Sequence, residues 1–136
     1  MDQKDYLLRE IEKIGTLLKR CFSKMTGSEE NLAIQLDVEF EEDKGMLLHE
    51  LGFDMNLFLM LDEADSKKYL TEIKGFNSQN VEYLADILSY IGLNTDSHMT
   101  TEYLVKALMV YEICSSLDKT FSFDREQKIS RIKSAL

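Results

Sequence analysis

The sequence predicts an all-α protein: a compact bundle of five to seven helices in a single domain spanning residues 1–136, with a helical hairpin in its C-terminal half. Three observations point there. The 136 residues include no proline, whereas proline breaks helix interiors and marks loops and edge strands. Four segments repeat apolar residues at alternating spacings of three and four, the period of an amphipathic helix. Finally, 44% hydrophobic and 30% charged residues fall in the range of ordinary globular domains. A chain of this length buries roughly two-thirds of the surface its unfolded form exposes, enough for one core without covalent staples.

The first helix carries the stripe Leu7, Ile11, Ile14, Leu18, Cys21 and Met25, widened by Leu8, Gly15 and Phe22. Arg9, Glu12, Lys13, Lys19 and Arg20 occupy its other faces. Gly27 is a natural stop, and Ser28 before Glu29 and Glu30 reads as the next N-cap with an acidic first turn.

Residues 31–51 fit two patterns. Leu32, Ile34, Leu36, Val38 and Phe40 alternate as in a strand, while Leu32, Leu36, Phe40, Leu47 and Leu51 fit a helical face interrupted near Gly45. A lone strand would have no partner for its backbone groups, so helix is the favoured reading.

Beyond Gly52, residues 54–61 predict a short apolar helix, and Asp62 or Asp65 would cap another running to Ile73, closed by Gly75. Asn77 or Ser78 opens a helix to Ile91, stopped by Gly92. It turns Val81, Leu84, Ala85, Leu88 and Ile91 inward and carries a polar stripe of Glu82, Asp86 and Ser89. The helix from Thr101 to Leu117 is apolar nearly all round, with only Lys106 and Glu112 charged beyond Tyr103, which predicts a central position. After Phe121 and Phe123, a last helix is expected to bury Ile129, Ile132 and Leu136 and to expose Arg125, Lys128, Arg131 and Lys133.

Within this pattern, Leu84-Ala85, Leu88 and Gly92, followed by Lys106-Ala107-Leu108 and Tyr111-Glu112, resemble a tetratricopeptide-type helical hairpin over residues 81–117. The resemblance implies two closely packed antiparallel helices and a protein-binding role. It lacks the repeat's terminal proline, its tight turn and a second copy. The whole chain also resembles small uncharacterised bacterial helical proteins with a basic amphipathic N-terminus, a likeness that implies no activity.

The net charge is −9, and it is unevenly spread. Residues 1–28 carry +2, while residues 29–65 carry −11 with Lys44 as their sole cation. Such a balance argues against nucleic acid and anionic lipid as partners. No apolar run reaches the ~18 residues of a membrane span. The N-terminus has no secretory pattern, and Cys21 and Cys114 read as buried, reduced thiols. A cytoplasmic monomer is expected.

Motifs for chemistry are absent. His49-Glu50 lacks the second histidine of a zinc-peptidase helix because residue 53 is Phe, and Asp37–Glu41 begins like a calcium loop until Glu42 takes the glycine position. No phosphate loop, nucleophile elbow or cysteine–histidine pattern is present, so neither metal, cofactor nor catalysis is expected. The distinctive feature is the acidic cluster of Glu41, Glu42, Asp43, Asp62, Glu63 and Asp65. It is either a solvated face, paired internally with the basic first and last helices, or a docking surface for a cationic protein. An enzyme with a carboxylate or tyrosine site that no motif reports, and an acidic inhibitor or immunity-type protein, are the alternatives.

Overall fold

A computed structural model describes residues 3–27, 33–95 and 98–136. It contains seven helices: α1 (Gln3–Thr26), α2 (Ala33–Leu51), α3 (Met55–Met60), α4 (Glu63–Glu72), α5 (Ser78–Asn94), α6 (Thr100–Asp118) and α7 (Phe123–Ala135). No strand occurs among the described residues. The alternation in residues 33–40 is therefore overridden: this segment is helical, and α2 continues through Gly45. Leu36, Phe40 and Leu47 form its buried face, so the helical period wins over the period of two. The N-cap expected at Ser28 lies outside the described residues.

Short polar side chains set several of the helix starts. Asp54 accepts from the Leu57 N–H, Asp62 from Asp65, Asn77 from Asn80 and Ser122 from Arg125, each satisfying an otherwise orphaned first-turn donor.

The centre is the antiparallel pair α5 and α6. Gly92 meets Leu104 near the connection, Asp86 meets Tyr111 midway and Ser78 meets Cys114 at the far end. α5 does not stop at Gly92 but runs two residues further, because the glycine is a packing site: a Cβ there would lie 2.7 Å from the Leu104 side chain. α6 buries Tyr103, Leu104, Lys106, Ala107, Val110, Tyr111, Ile113 and Cys114, as its apolar circumference requires.

α1 lies along α5 in the same direction. The Asn80 amide donates to the Ile11 carbonyl at 3.0 Å and to the Gly75 carbonyl at 2.7 Å, and Phe22 stands edge-on to Tyr90 further along. The first turns of α1 extend past this contact, so Tyr6, Leu7 and Leu8 are exposed and the apolar stripe is buried only from Ile14 onward. α2 packs on α1 and α5 and touches α6 through the edge-to-face pair Phe40–Tyr103. α3 and α4 cover α6 next to α2, around Phe53, Phe58, Tyr69 and Phe76, whose rings lie 5.2–6.1 Å apart along the contacts Phe53 and Phe58 make.

α7 departs from expectation. Ile129 and Ile132 face inward as predicted, yet Leu136 is exposed, Arg125 is buried and Lys128 is half-buried. Both cations turn toward α5 because Glu82 and Asp86 wait there, and a desolvated carboxylate pair must be matched.

Candidate functional site

The predicted acidic residues separate into three environments. Glu41 and Glu42 are exposed on α2, and Glu41 is bound by Lys44 at 2.8 Å. Asp62, Glu63 and Asp65 are exposed where α3 gives way to α4. Asp43 belongs to no exposed face, in contrast to the grouping its sequence neighbours suggest: only 2% of it is accessible, and it turns toward Cys21 and Lys24 of α1. The cause is helical geometry, which directs residue 43 with Phe40 and Leu47 toward the core while Glu41 and Glu42 point away.

α6 gathers the exposed carboxylates along one edge. Near its start, burial pushes the Tyr103 hydroxyl up, helped by the charges of Glu41, Asp37 and Glu102 around it. Further along, burial pushes the Lys106 ammonium down to about 8 against the opposing charge of Asp62. Beyond that, Glu63 and Glu112 are neighbours, and the Glu112 carboxyl is raised by desolvation and then by this second carboxylate. Among the described residues, Asp37, Glu42, Asp62, Glu63, Asp65, Glu102 and Glu112 have no cation within ion-pair distance. Exposed apolar side chains lie on the same elements: Val38 on α2, Leu57 and Met60 on α3, and Val105 on α6, with Met60 84% exposed. The sequence did not place Asp37, Glu102 and Glu112 in the acidic cluster; the signal they carried was being charges on otherwise apolar or acidic helices.

A different cluster joins α5, α6 and α7. Arg125 donates to Glu82 through Nε at 3.0 Å and Nη2 at 2.8 Å, and to Asp118 at 2.7 Å. Lys128 contacts Glu82 at 3.0 Å, Asp86 at 3.1 Å and Asp124 at 3.3 Å, and the Tyr111 hydroxyl donates to Asp86 at 2.6 Å. Burial acts to raise the Glu82 carboxyl, but hydrogen bonds from Lys128 and Arg125 hold it below its ordinary value. At Asp86 burial prevails and the carboxyl is raised despite Tyr111 and Lys128. The Arg125 hydrogen bond holds Asp118 down to about 2. The polar stripe of Glu82 and Asp86 was legible in sequence, but its partners on α7 were not.

The basic helices therefore do not neutralise the acidic segment in the expected way. The ion pairs of α7 go to α5 and α6 and to its own Asp124, and Arg9, Lys13, Lys19 and Arg20 of α1 make none among the described residues. Both cysteines are free and buried. The described residues contain no cluster of three or more metal-ligating side chains, and no described helix is long and apolar enough to cross a membrane. No protein-family model, no curated protein and no solved structure matches the chain.

Proposed function

We propose that this protein is a non-enzymatic docking module, acting as a cytoplasmic monomer, that binds a basic amphipathic segment of a partner protein along the acidic edge of α6. The observation that carries the reading is the convergence of Asp37, Glu102, Asp62, Glu63 and Glu112 along one helix without ion-pair partners. Exposed Val38, Val105, Leu57 and Met60 accompany them. Uncompensated carboxylates favour a cationic partner and speed its encounter, while the apolar side chains contribute the area that holds it. A basic helix with one apolar face offers both kinds of contact. The antiparallel α5–α6 pair and its tetratricopeptide resemblance support a scaffold role.

The enzyme alternative is less well supported, because the strongly shifted groups of the α5–α7 cluster are saturated by one another. Lys106, another strongly shifted group, has its ammonium occupied by the Leu61 carbonyl, the Ser66 hydroxyl and the Phe58 ring.

The test is affinity capture from the native cell with the parent chain and a variant carrying Asp62→Lys, Glu63→Lys and Glu102→Lys. Captured protein should cross-link to the α6 edge through a lysine- and arginine-rich segment, and should be lost both in the variant and at high salt. Exposed charges are screened beyond about 8–10 Å at physiological ionic strength, which gives the salt dependence its origin. Equal capture by parent and variant, with unchanged circular dichroism, would overturn the proposal.

A further inference from the structure

A second surface, sharing no residue with the acidic edge, has the make-up of a small-molecule site. Phe22 of α1, Asp86, Ser89, Tyr90, Leu93 and Asn94 of α5, Tyr111 of α6, and Lys128 and Arg131 of α7 line an open cleft of about 670 Å³. That size falls within the range of roughly 300–1,000 Å³ typical of ligand sites. Four helices meet here, so the walls are fixed by the bundle rather than by a loop.

The strongest hydrogen-bonding group left unused in this cleft is a cation. Asp86 is engaged on both oxygens: Tyr111 donates to one at 2.6 Å, and Lys128 lies 3.1 Å from that oxygen and 3.3 Å from the other. Lys128 is itself shared among Glu82, Asp86 and Asp124, so it brings no spare positive charge to the cleft. By contrast, the Arg131 guanidinium has no hydrogen-bond or ion-pair partner among the described residues, nor does the Tyr90 hydroxyl. The unused groups therefore include a planar five-donor fork and a phenol. The aromatic part of the wall is Phe22 and Tyr90, whose centroids lie 5.8 Å apart at 73° and leave ring surface toward the cleft.

We infer that the cleft between α1, α5 and α7 binds a small aromatic carboxylate, with Arg131 gripping the carboxylate and the Phe22–Tyr90 wall covering the ring. A guanidinium pairs with a carboxylate through two parallel hydrogen bonds, which sets orientation as well as attraction. Aromatic walls add an edge or offset-stacked contact to the apolar burial. The inference stands apart from the docking reading, and either can fail alone.

The experiment uses the full chain, with 2-naphthoate as probe and 2-naphthylmethylamine as its cationic counterpart, followed by nuclear magnetic resonance titration. Saturable 2-naphthoate binding is expected, with shifts at Phe22, Tyr90 and Arg131, and the amine should not compete. Arg131→Gln should weaken binding about tenfold, the size of one lost charge-assisted contact, without moving the melting temperature, since Arg131 is exposed. Tyr90→Leu should weaken it independently, while Asp62→Lys should leave it unchanged. Absence of saturation at millimolar probe, equal binding of the amine, shifts elsewhere, or indifference to Arg131→Gln would each overturn the assignment.

Discussion

The ammonium of Lys106 sits 4.3 Å from the ring centroid of Phe58, inside a site where it also donates to the Leu61 carbonyl at 2.7 Å and to the Ser66 hydroxyl. One side chain of α6 thus fastens the end of α3 and the start of α4. The Leu61 carbonyl lies past the last turn of α3, where no intrahelical donor remains, so its partners are the lysine and the Ser66 hydroxyl, which donates to it at 3.3 Å. No carboxylate is within ion-pair distance of this 3% exposed lysine. Its contacts are therefore dipoles and a ring face, with the charge of Asp62 acting from further away.

Two substitutions separate its roles. Lys106→Ala should destabilise by about 2–4 kcal/mol, since it leaves a cavity beneath Phe58 and removes two hydrogen bonds. Lys106→Met fills the volume and removes the buried charge, so its cost should stay below about 1.5 kcal/mol. Because burial lowers the ammonium to about 8, its folded form gives up the proton more readily than the unfolded chain. The parent should therefore gain stability relative to Lys106→Met as pH rises above about 8, until the ordinary lysine value near 10.5 is reached. Urea denaturation between pH 7 and 10.5 measures both effects, and a Lys106→Met variant as unstable as Lys106→Ala would show the charge itself to be essential.

Asp43 gives the opposite pH signature. Its carboxyl is raised from 3.8 to about 6, first by burial, with Glu39 and Glu42 of its own helix adding to the effect and Lys24 and the Cys21 thiol of α1 opposing it. One of its oxygens and one of Glu39 have no hydrogen-bond partner. The folded state binds this proton more tightly than the unfolded state, so the penalty is complete above about pH 6 and vanishes below 3.8. Asp43→Asn should then raise stability by about 2–3 kcal/mol at pH 7.5 and by little at pH 3.5. Thermal melts of both proteins across that range decide it; a constant difference would mean that titration is not the cause.

Arg125 should be among the costliest charges to remove. Its guanidinium is buried and bridges Glu82 of α5 to Asp118 at the end of α6. Arg125→Ala should cost about 3–5 kcal/mol, because Glu82 and Asp118 lose their main partner while Glu82 stays partly desolvated. Arg125→Lys keeps the charge but cannot span both carboxylates, so it should recover only part of the loss. Chemical denaturation of the two variants ranks them, and a loss under about 1 kcal/mol for Arg125→Ala would show that the site rehydrates easily.

Gly75 is fixed by two independent demands. Its φ is +96°, and a Cβ there would stand 2.7 Å from the Glu10 backbone of α1. Gly75→Ala should cost about 2–4 kcal/mol from backbone strain together with the forced separation of α1. The hydrogen bond from Asn80 to the Ile11 carbonyl should weaken at the same time, detectable as faster amide exchange in the first half of α1. Unchanged melting of Gly75→Ala would place α1 further from this turn than the fold requires.

The helices and many of their boundaries follow from the sequence alone. Absent proline, apolar spacing, and the short polar residues Asp54, Asp62 and Asn77 at helix starts are local signals, and local hydrogen bonds and backbone preferences decide a helix and its cap. The central place of α6 was equally legible, because a helix apolar all round has to be covered all round. The acidic cluster was visible as composition, and Glu41, Glu42, Asp62, Glu63 and Asp65 do stand exposed. Only the tertiary structure decided where the individual charges went. It placed Asp43 beneath α1, Lys106 beneath α3 and Arg125 between α5 and α6, and it set Asp37, Glu102 and Glu112 along the same edge as the acids of the α3–α4 junction. The physical reason is that a helix's period records which residues share a face but not what packs against that face. A polar stripe such as Glu82 and Asp86 has the same spacing whether water or the cations of α7 cover it.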